Sequence, residues 1–237
     1  MRFDDKVVLV TGAASGIGAA TAALFGAEGA TVVGVDRTVS DGVVECDVTD
    51  PAAVDRTVAD VIDAHGRLDI VCNVAGILRR GPFEAIELDT WHQMLAVNLT
   101  GPFLVARAAI PHLLESRGCI VNVGSISGLH GQPHNAAYCA SKGGVIQLTR
   151  ALAVEYADRG VRVSCVCPGG VNTPMIADPA VIIPDDVPQN MQANLRMVPL
   201  MPGWTEPGEI AEAIAFLAAA ESISGAALVV DRGTLSF

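Results

Sequence analysis

Tyr138 and Lys142 stand four residues apart in Tyr138-Cys139-Ala140-Ser141-Lys142, a spacing that puts both side chains on one face of a helix. A phenol with an ordinary pKa of about 10 is a poor base near neutral pH. An ammonium beside it favours the phenolate. The pair therefore predicts a phenol brought toward working pH, able to take a proton from an alcohol or return one to an alkoxide. A second pattern lies far upstream, where Thr11-Gly12-Ala13-Ala14-Ser15-Gly16-Ile17-Gly18 links an apolar run to a helical one. Glycines permit a tight turn and close backbone approach, and the free N–H groups of a helix start attract a pyrophosphate. The plainer reading is a turn that only closes a strand onto a helix. Val33-Gly34-Val35-Asp36 then ends the next apolar run in a carboxylate, at the distance expected of an acid that hydrogen-bonds an adenosine ribose 2′-hydroxyl. Such a carboxylate repels a 2′-phosphate and favours NAD over NADP, although Arg37 follows it at once.

Residues this far apart must be gathered by the elements between them. Strand-like runs at 6–10, 30–35, 43–46, 68–72, 118–123, 161–166 and 227–230 alternate with amphipathic stretches at 17–28, 52–65, 90–114, 136–159 and 207–220. The stretches are long enough for crossover helices, so the pattern predicts an α/β fold: a doubly wound, seven-stranded parallel sheet in three layers. Residues 37–44 are too few for a crossover helix and should form a loop. The 237 residues contain no Ser/Gly-rich or charge-rich linker, which predicts a single domain. Hydrophobic residues make up 51% of the chain and aromatics only 4%, so the core must be built from Val, Ala, Leu and Ile, as in buried parallel strands. Residues 174–207 hold seven of the thirteen prolines and four of the six methionines without a sustained period. They read either as a lid over an apolar ligand or as an interface or core-covering segment.

With the Thr-Gly-x-x-x-Gly-x-Gly turn and the Tyr-x-x-x-Lys pair, the chain resembles the short-chain dehydrogenase/reductase family over essentially its whole length. Asn73-Val74-Ala75-Gly76 matches the family's Asn-Asn-Ala-Gly after strand four, and Asp47-Val48 its adenine-binding Asp-Val. Asn98 matches the helix asparagine and Ser125 the strand-five serine. Pro168-Gly169, followed by Val171 and Thr173, matches the turn after strand six. The resemblance implies a Rossmann-type fold and an NAD(H)-dependent interconversion of a secondary alcohol and a ketone by hydride transfer. Tyr138 would be the general acid and base. Lys142 would also hold the nicotinamide ribose, Ser125 would hydrogen-bond the substrate oxygen, and Asn98 would order a proton-relaying water. Cofactor contacts would come from Gly12, Ser15, Gly16, Ile17, Gly18, Asp36, Asp47, Val48, Asn73, Ala75 and Gly76. Tyr138, Lys142, Pro168, Gly169, Val171 and Thr173 would complete them. The family usually assembles as a homotetramer through its late helices and last strand, and the same is expected here. Each catalytic residue also has a plainer reading: Tyr138 as a buried packer, Lys142 as a surface charge, Ser125 as a strand-end cap, Asn98 as a helix polar residue. Their coincidence with a dinucleotide turn favours the chemical one.

Some features depart from the family pattern. The short link after Asp36 resembles the 2,3-dihydro-2,3-dihydroxybenzoate dehydrogenases, which also carry a sequence like Ala75-Gly76-Ile77-Leu78-Arg79. Arg79 or Arg80 would then meet a substrate carboxylate, the alternative being a solvated loop pair. Met175, Ile176, Val181, Ile182, Ile183, Met191, Met197, Met201 and Trp204 point instead to a sizeable hydrophobic or cyclic alcohol or ketone. Val229-Val230-Asp231-Arg232-Gly233 replaces the usual Asp-Gly-Gly, with consequences expected for the last strand's packing and not for the chemistry. Two rival readings are an NADP-dependent 3-oxoacyl thioester reductase, disfavoured by Asp36 and Ser15, and a non-catalytic NAD-binding regulatory module, disfavoured by the complete Asn98/Ser125/Tyr138/Lys142 set.

The net charge of −11 and the absence of basic runs argue against nucleic acid and anionic membranes as partners. The expected partner is a small-molecule alcohol or ketone. No signal-peptide pattern and no uninterrupted membrane-length segment is read, so a cytoplasmic location is expected. Cys46, Cys72, Cys119, Cys139, Cys165 and Cys167 form no Cys-x-x-Cys and read as free thiols packed as small hydrophobes. His65, His92 and His112 lack metal-ligand spacing, and no metal is expected. His130 and His134, between Ser125 and Tyr138, read as exposed loop residues or as substrate contacts.

Overall fold

Alternation along the first strand sets the layering. In β1 (Val7–Thr11), Val7 and Leu9 join one buried cluster while Val8 and Val10 join another, as expected where side chains alternate across a sheet covered on both faces. The computed structural model describes residues 1–178 and 200–235. Within them β2 (Thr31–Asp36), β3 (Val43–Glu45), β4 (Ile70–Asn73), β5 (Cys119–Val123), β6 (Arg162–Pro168) and β7 (Ala227–Val230) complete the sheet. The order is β3-β2-β1-β4-β5-β6-β7, and every pairing is parallel. The strand order reverses between β1 and β4. This opens a crevice at the carboxyl ends of the strands, where ligands bind in such sheets.

Helices α1 (Gly16–Ala27) and α2 (Pro51–His65) follow β1 and β3. Asp50 caps α2 by accepting from Ala52 N at 2.9 Å, and Pro51 at the first helical position loses no bond, because its N–H would have had no partner there. Next in the chain come α3 (Leu88–Leu95), α4 (Gly101–Ser116), α5 (Ala136–Tyr156), the short α6 (Pro174–Ala177) and α7 (Pro207–Ala219). Phe25 of α1 and Ile210, Ile214 and Leu217 of α7 cover Val8 and Val10. Val54, Val58 and Val61 of α2 and Leu104, Val105 and Leu113 of α4 cover Val7 and Leu9. As expected, residues between Asp36 and Val43 form no helix; Ser40 bridges Val43 there.

The stretch expected as one helix at 90–114 is divided. A π turn at Ala96–Thr100 separates α3 from α4, because Asn98 is held by a loop from outside the helix and Pro102 has no N–H to continue the ladder. Leu88–Ser116 is nevertheless a helical run of 29 residues whose most apolar 18-residue window has a mean hydropathy of 1.3, long and apolar enough by length and composition to cross a membrane. Half of its most apolar window is buried inside the fold. Five cysteines are buried, and Cys139 on α5 is half-buried.

Of the segment read as a lid, α6 and residues 200–207 are described. Val181, Ile182, Ile183, Met191 and Met197 lie outside the described residues. The departure from Asp-Gly-Gly leaves β7 paired in register with β6, Pro168 opposite Val230. Asp231 accepts from Gly233 N at 2.9 Å and Leu235 N at 2.7 Å, while Arg232 adopts a left-handed φ of +53°, the conformation that glycine adopts most readily.

Candidate active site

One cleft of about 890 Å³ gathers the segments that follow β1 through β6. Its floor begins at the glycine turn. Gly12 has φ +71°, and a Cβ there would come within 2.8 Å of Ala75 Cα; a Cβ on Gly18 would meet the Gly12 carbonyl oxygen at 2.0 Å. Only glycine permits this packing of α1 on β1 and of the turn on the β4 loop. Thr11 strengthens the junction, its hydroxyl accepting from Val74 N at 3.0 Å and Ala75 N at 3.1 Å. At the head of α1 the Ser15 side chain makes no cap hydrogen bond. The first-turn N–H groups are thus left to a ligand, and the cradle suits a pyrophosphate.

Gly12, Ser15, Gly16, Ile17, Gly18, Asp36, Asp47, Val48, Ala75, Gly76, Pro168, Gly169, Val171 and Thr173 all line this cleft, as do Ser125, Tyr138 and Lys142. Asp36, at the end of β2, accepts from Ala14 N at 3.2 Å and Thr38 N at 2.9 Å, so its carboxylate is fixed at the rim beside Arg37. Asp47 accepts from the Thr49 hydroxyl at 2.7 Å and Thr49 N at 2.8 Å. These bonds hold its carboxyl below the usual carboxylate range and brace the loop that carries Val48.

Asn73 and Asn98 sit behind the lining. Asn73 donates to Asn122 Oδ1 at 2.9 Å, and Asn122 donates to the Thr149 hydroxyl at 2.9 Å, a buried chain joining β4 and β5 to α5. Asn98, fully buried in the π turn, accepts from Ile77 N at 2.8 Å and donates to Ile77 O at 2.9 Å and Ser141 Oγ at 3.1 Å. Its amide fastens the Ala75–Ile77 backbone to α5.

At the centre of the cleft the Ser125 hydroxyl hydrogen-bonds the Tyr138 phenol and accepts from Ser127 N at 3.1 Å. Ser125 is therefore a strand-end cap and a site residue at once. Lys142 donates to Val123 O at 2.8 Å, with its Nζ 5.8 Å from the centre of the Tyr138 ring. A Cβ on Gly128 would approach the Lys142 carbonyl carbon to 2.6 Å, so the turn carrying Ser125 packs directly on α5.

The electrostatics differ from the sequence expectation. Burial pushes the phenol of Tyr138 up to about 12, against the pull of the Ser125 hydrogen bond and of the Arg80 guanidinium. Burial also lowers Lys142 to about 8. In this apolar enclosure desolvation penalises both charged forms more than the pair can compensate, and the cation whose charge acts on the phenol is Arg80.

The two adjacent arginines have separated. Arg79 pairs with Asp178 at 3.0 Å, whereas Arg80 lines the cleft. Leu78, Met175, Ile176 and Trp204 form its apolar wall, and Leu78, Met175 and Tyr138 belong to one hydrophobic cluster. His130 is exposed, His134 is partly buried, and neither lines the cleft. Ser127, Gln132 and Asn135 do line it. Sequence reasoning had no signal for these three: Asn135, just before a helix, reads as an ordinary cap.

A family model described as short chain dehydrogenase matches residues 6–180. The chain is similar to the meso-2,3-butanediol dehydrogenase of Serratia marcescens, 38% identical over 248 residues, covering 98% of this chain and 96% of that protein. It is 40% identical over 249 residues to the cis-4-hydroxycyclohexanecarboxylate dehydrogenase of Sinomonas cyclohexanicum, covering 98% and 97%. The solved structure of the ligand-free aldohexose dehydrogenase of Thermoplasma acidophilum superposes with a TM-score of 0.89 at 32% identity, covering 99% of this chain and 96% of that one. A parallel sheet with its switch point at β1/β4, the glycine turn beneath the cleft and the Ser125/Tyr138/Lys142 centre agree with these matches, and the chain belongs to the short-chain dehydrogenase family.

Proposed function

We propose that the protein interconverts a secondary alcohol and its ketone using NAD(H), with Tyr138 as general acid and base. The observation that carries this reading is the cleft itself, which joins a dinucleotide cradle ending at Asp36 to the Ser125/Tyr138/Lys142 centre. Members of this family use a nicotinamide nucleotide, and NAD is favoured by the Asp36 carboxylate at the rim, which would repel a 2′-phosphate. Bound there, the nicotinamide supplies the site that accepts or gives up hydride.

Ser125 holds the substrate oxygen by its hydroxyl. In reduction Tyr138, protonated up to about pH 12 in the free protein, gives its proton to the developing alkoxide. In oxidation the same phenol must first lose that proton, a loss eased by Ser125 and by the charge of Arg80. Lys142 orients from behind through its bond to Val123 O, and Asn98 keeps the Ile77 loop against α5. The apolar wall of Leu78, Met175, Ile176 and Trp204 suits a hydrophobic or cyclic substrate. The relative named for a hydroxycyclohexane acid supports a cyclic substrate, and both it and the relative named for butanediol support a secondary alcohol. A cytoplasmic homotetramer is part of this proposal.

The test is oxidation of NADH and NADPH by purified protein with cyclic and acyclic ketones, and the reverse reaction with the matching alcohols. Tyr138→Phe should lower turnover by about a thousandfold or more while leaving NADH binding, measured by fluorescence titration, nearly intact. Turnover retained in that variant would overturn the mechanism, and faster turnover with NADPH would overturn the choice of cofactor.

A further inference from the structure

We propose that Cys167 is a positioning residue for Ser125: its sulfur, buried beneath the active centre, receives the Ser125 N–H and so fixes where the hydroxyl that serves Tyr138 stands. This rests on the reading of the site as an alcohol dehydrogenase. Cys165 and Cys167 are two residues apart on β6 and therefore face the same side of the sheet. Both are fully buried, with their sulfurs 3.9 Å apart. They form a small cluster of their own with Val145 and Ile146 of α5, one turn beyond Lys142. The two thiols thus fill the space between the sheet and α5 where the catalytic groups of both elements meet.

The backbone that carries Ser125 rests on these sulfurs. A Cβ on Gly124 would stand 2.8 Å from Cys165 Sγ and 3.2 Å from Cys167 Sγ, so only glycine lets the chain lie this close. Three successive residues of that backbone have separate partners. Val123 O accepts from Lys142 Nζ at 2.8 Å, Gly124 N donates to Val166 O at 2.8 Å, and Ser125 N donates to Cys167 Sγ. A buried N–H without an acceptor is rare, and sulfur, a weak and polarizable acceptor, fills that place here. The Cys165 thiol donates to Val166 O at 3.5 Å, which leaves its own sulfur to accept from the Cys167 thiol. Because the Ser125 hydroxyl bonds the Tyr138 phenol, any shift of the Ser125 backbone reaches the proton donor. Cys165 packs in the same cluster but holds no group of Ser125, so removing it tests packing alone.

The experiment compares Cys167→Ala, Cys167→Ser and Cys165→Ala by kcat and KM for NADH-dependent ketone reduction, and by hydrogen exchange of the Ser125 amide, followed by NMR in protein labelled at its serine amides. Cys167→Ala should lower kcat by about tenfold or more with KM for the ketone within about twofold of the native value, as expected of a misplaced group that serves the transition state. Its Ser125 amide should exchange about tenfold faster or more. Cys167→Ser keeps an acceptor and should return both quantities to within about threefold of native. Cys165→Ala should change each by less than about threefold. Equal losses in Cys165→Ala and Cys167→Ala, or an unchanged kcat and amide in Cys167→Ala, would show that the thiols only pack and would overturn the proposal. If Cys167→Ala fails to fold, Cys167→Thr and Cys167→Val replace it, being alike in bulk and different in the acceptor. Faster turnover and a slower-exchanging Ser125 amide in the threonine variant support the proposal, and equal values overturn it. If no ketone is turned over with NADH or NADPH, the dehydrogenase reading falls separately, and the amide exchange alone decides whether Cys167 holds Ser125.

Discussion

Asp36 shows how one side chain couples two tasks. Its carboxylate presents negative charge at the rim of the cleft, and its oxygens also hold Ala14 N and Thr38 N. Asp36→Ala removes both effects, whereas Asp36→Asn keeps an acceptor and loses only the charge. Both variants should raise the NADPH-to-NADH ratio of kcat/KM by about tenfold or more, with Arg37 left to meet a 2′-phosphate. The alanine variant alone should lose stability, measured by thermal melting. An unchanged ratio in Asp36→Asn would show that this carboxylate does not read the ribose. The type and spacing of Asp36, Ser125, Tyr138 and Lys142 were legible in the sequence because they belong to local motifs. That Arg80 turns into the cleft while Arg79 pairs with Asp178 was not, since neighbours in a loop have no periodicity to separate them.

Each element contributes a boundary at which a residue of the site is placed. The start of α1 depends on Gly18, whose absent Cβ leaves room for the Gly12 carbonyl oxygen only 2.0 Å away from where that atom would stand. Gly18→Ala must displace backbone, so it should destabilise the fold by about 1–3 kcal/mol or more in urea unfolding. It should also weaken NADH binding, because the cradle is the part displaced. Gly26 on the same helix has nothing within 4 Å of its Cβ position, and Gly26→Ala should be neutral or slightly stabilising. Strands were legible as short continuous apolar runs, as expected of a parallel sheet covered on both faces, and crossover helices from their period of 3.6. The π turn was not: the apolar pattern continues through 90–114, and what interrupts the ladder is Asn98 bonding to Ile77 from another segment.

Over the whole molecule, enclosing Lys142 at the end of the sheet makes stability depend on pH. Lys142 titrates ordinarily at 10.5 and in the folded free protein at about 8, so between those values the unfolded chain binds the proton that the folded one rejects. Its contribution is therefore fully present above 10.5 and is lost as pH falls through 8. The free protein should gain stability from this group between about pH 8 and 10, by up to about 1.4 kcal/mol per pH unit. Tyr138, raised from 10 to about 12, acts oppositely, and only above pH 10. Urea unfolding of the protein and of Lys142→Met at pH 8, 9 and 10 should show a stability gap that narrows or reverses in favour of the native chain as pH rises; a constant gap would mean that Lys142 titrates normally. The amino-acid sequence by itself determined the alternating elements, the parallel sheet and the residue types of the catalytic and dinucleotide motifs, all of which are properties of neighbours along the chain. Tertiary structure alone decided the direction of the phenol's shift and the choice of Arg80 over Arg79. Desolvation and side-chain direction depend on segments that meet only when the sheet closes around the cleft.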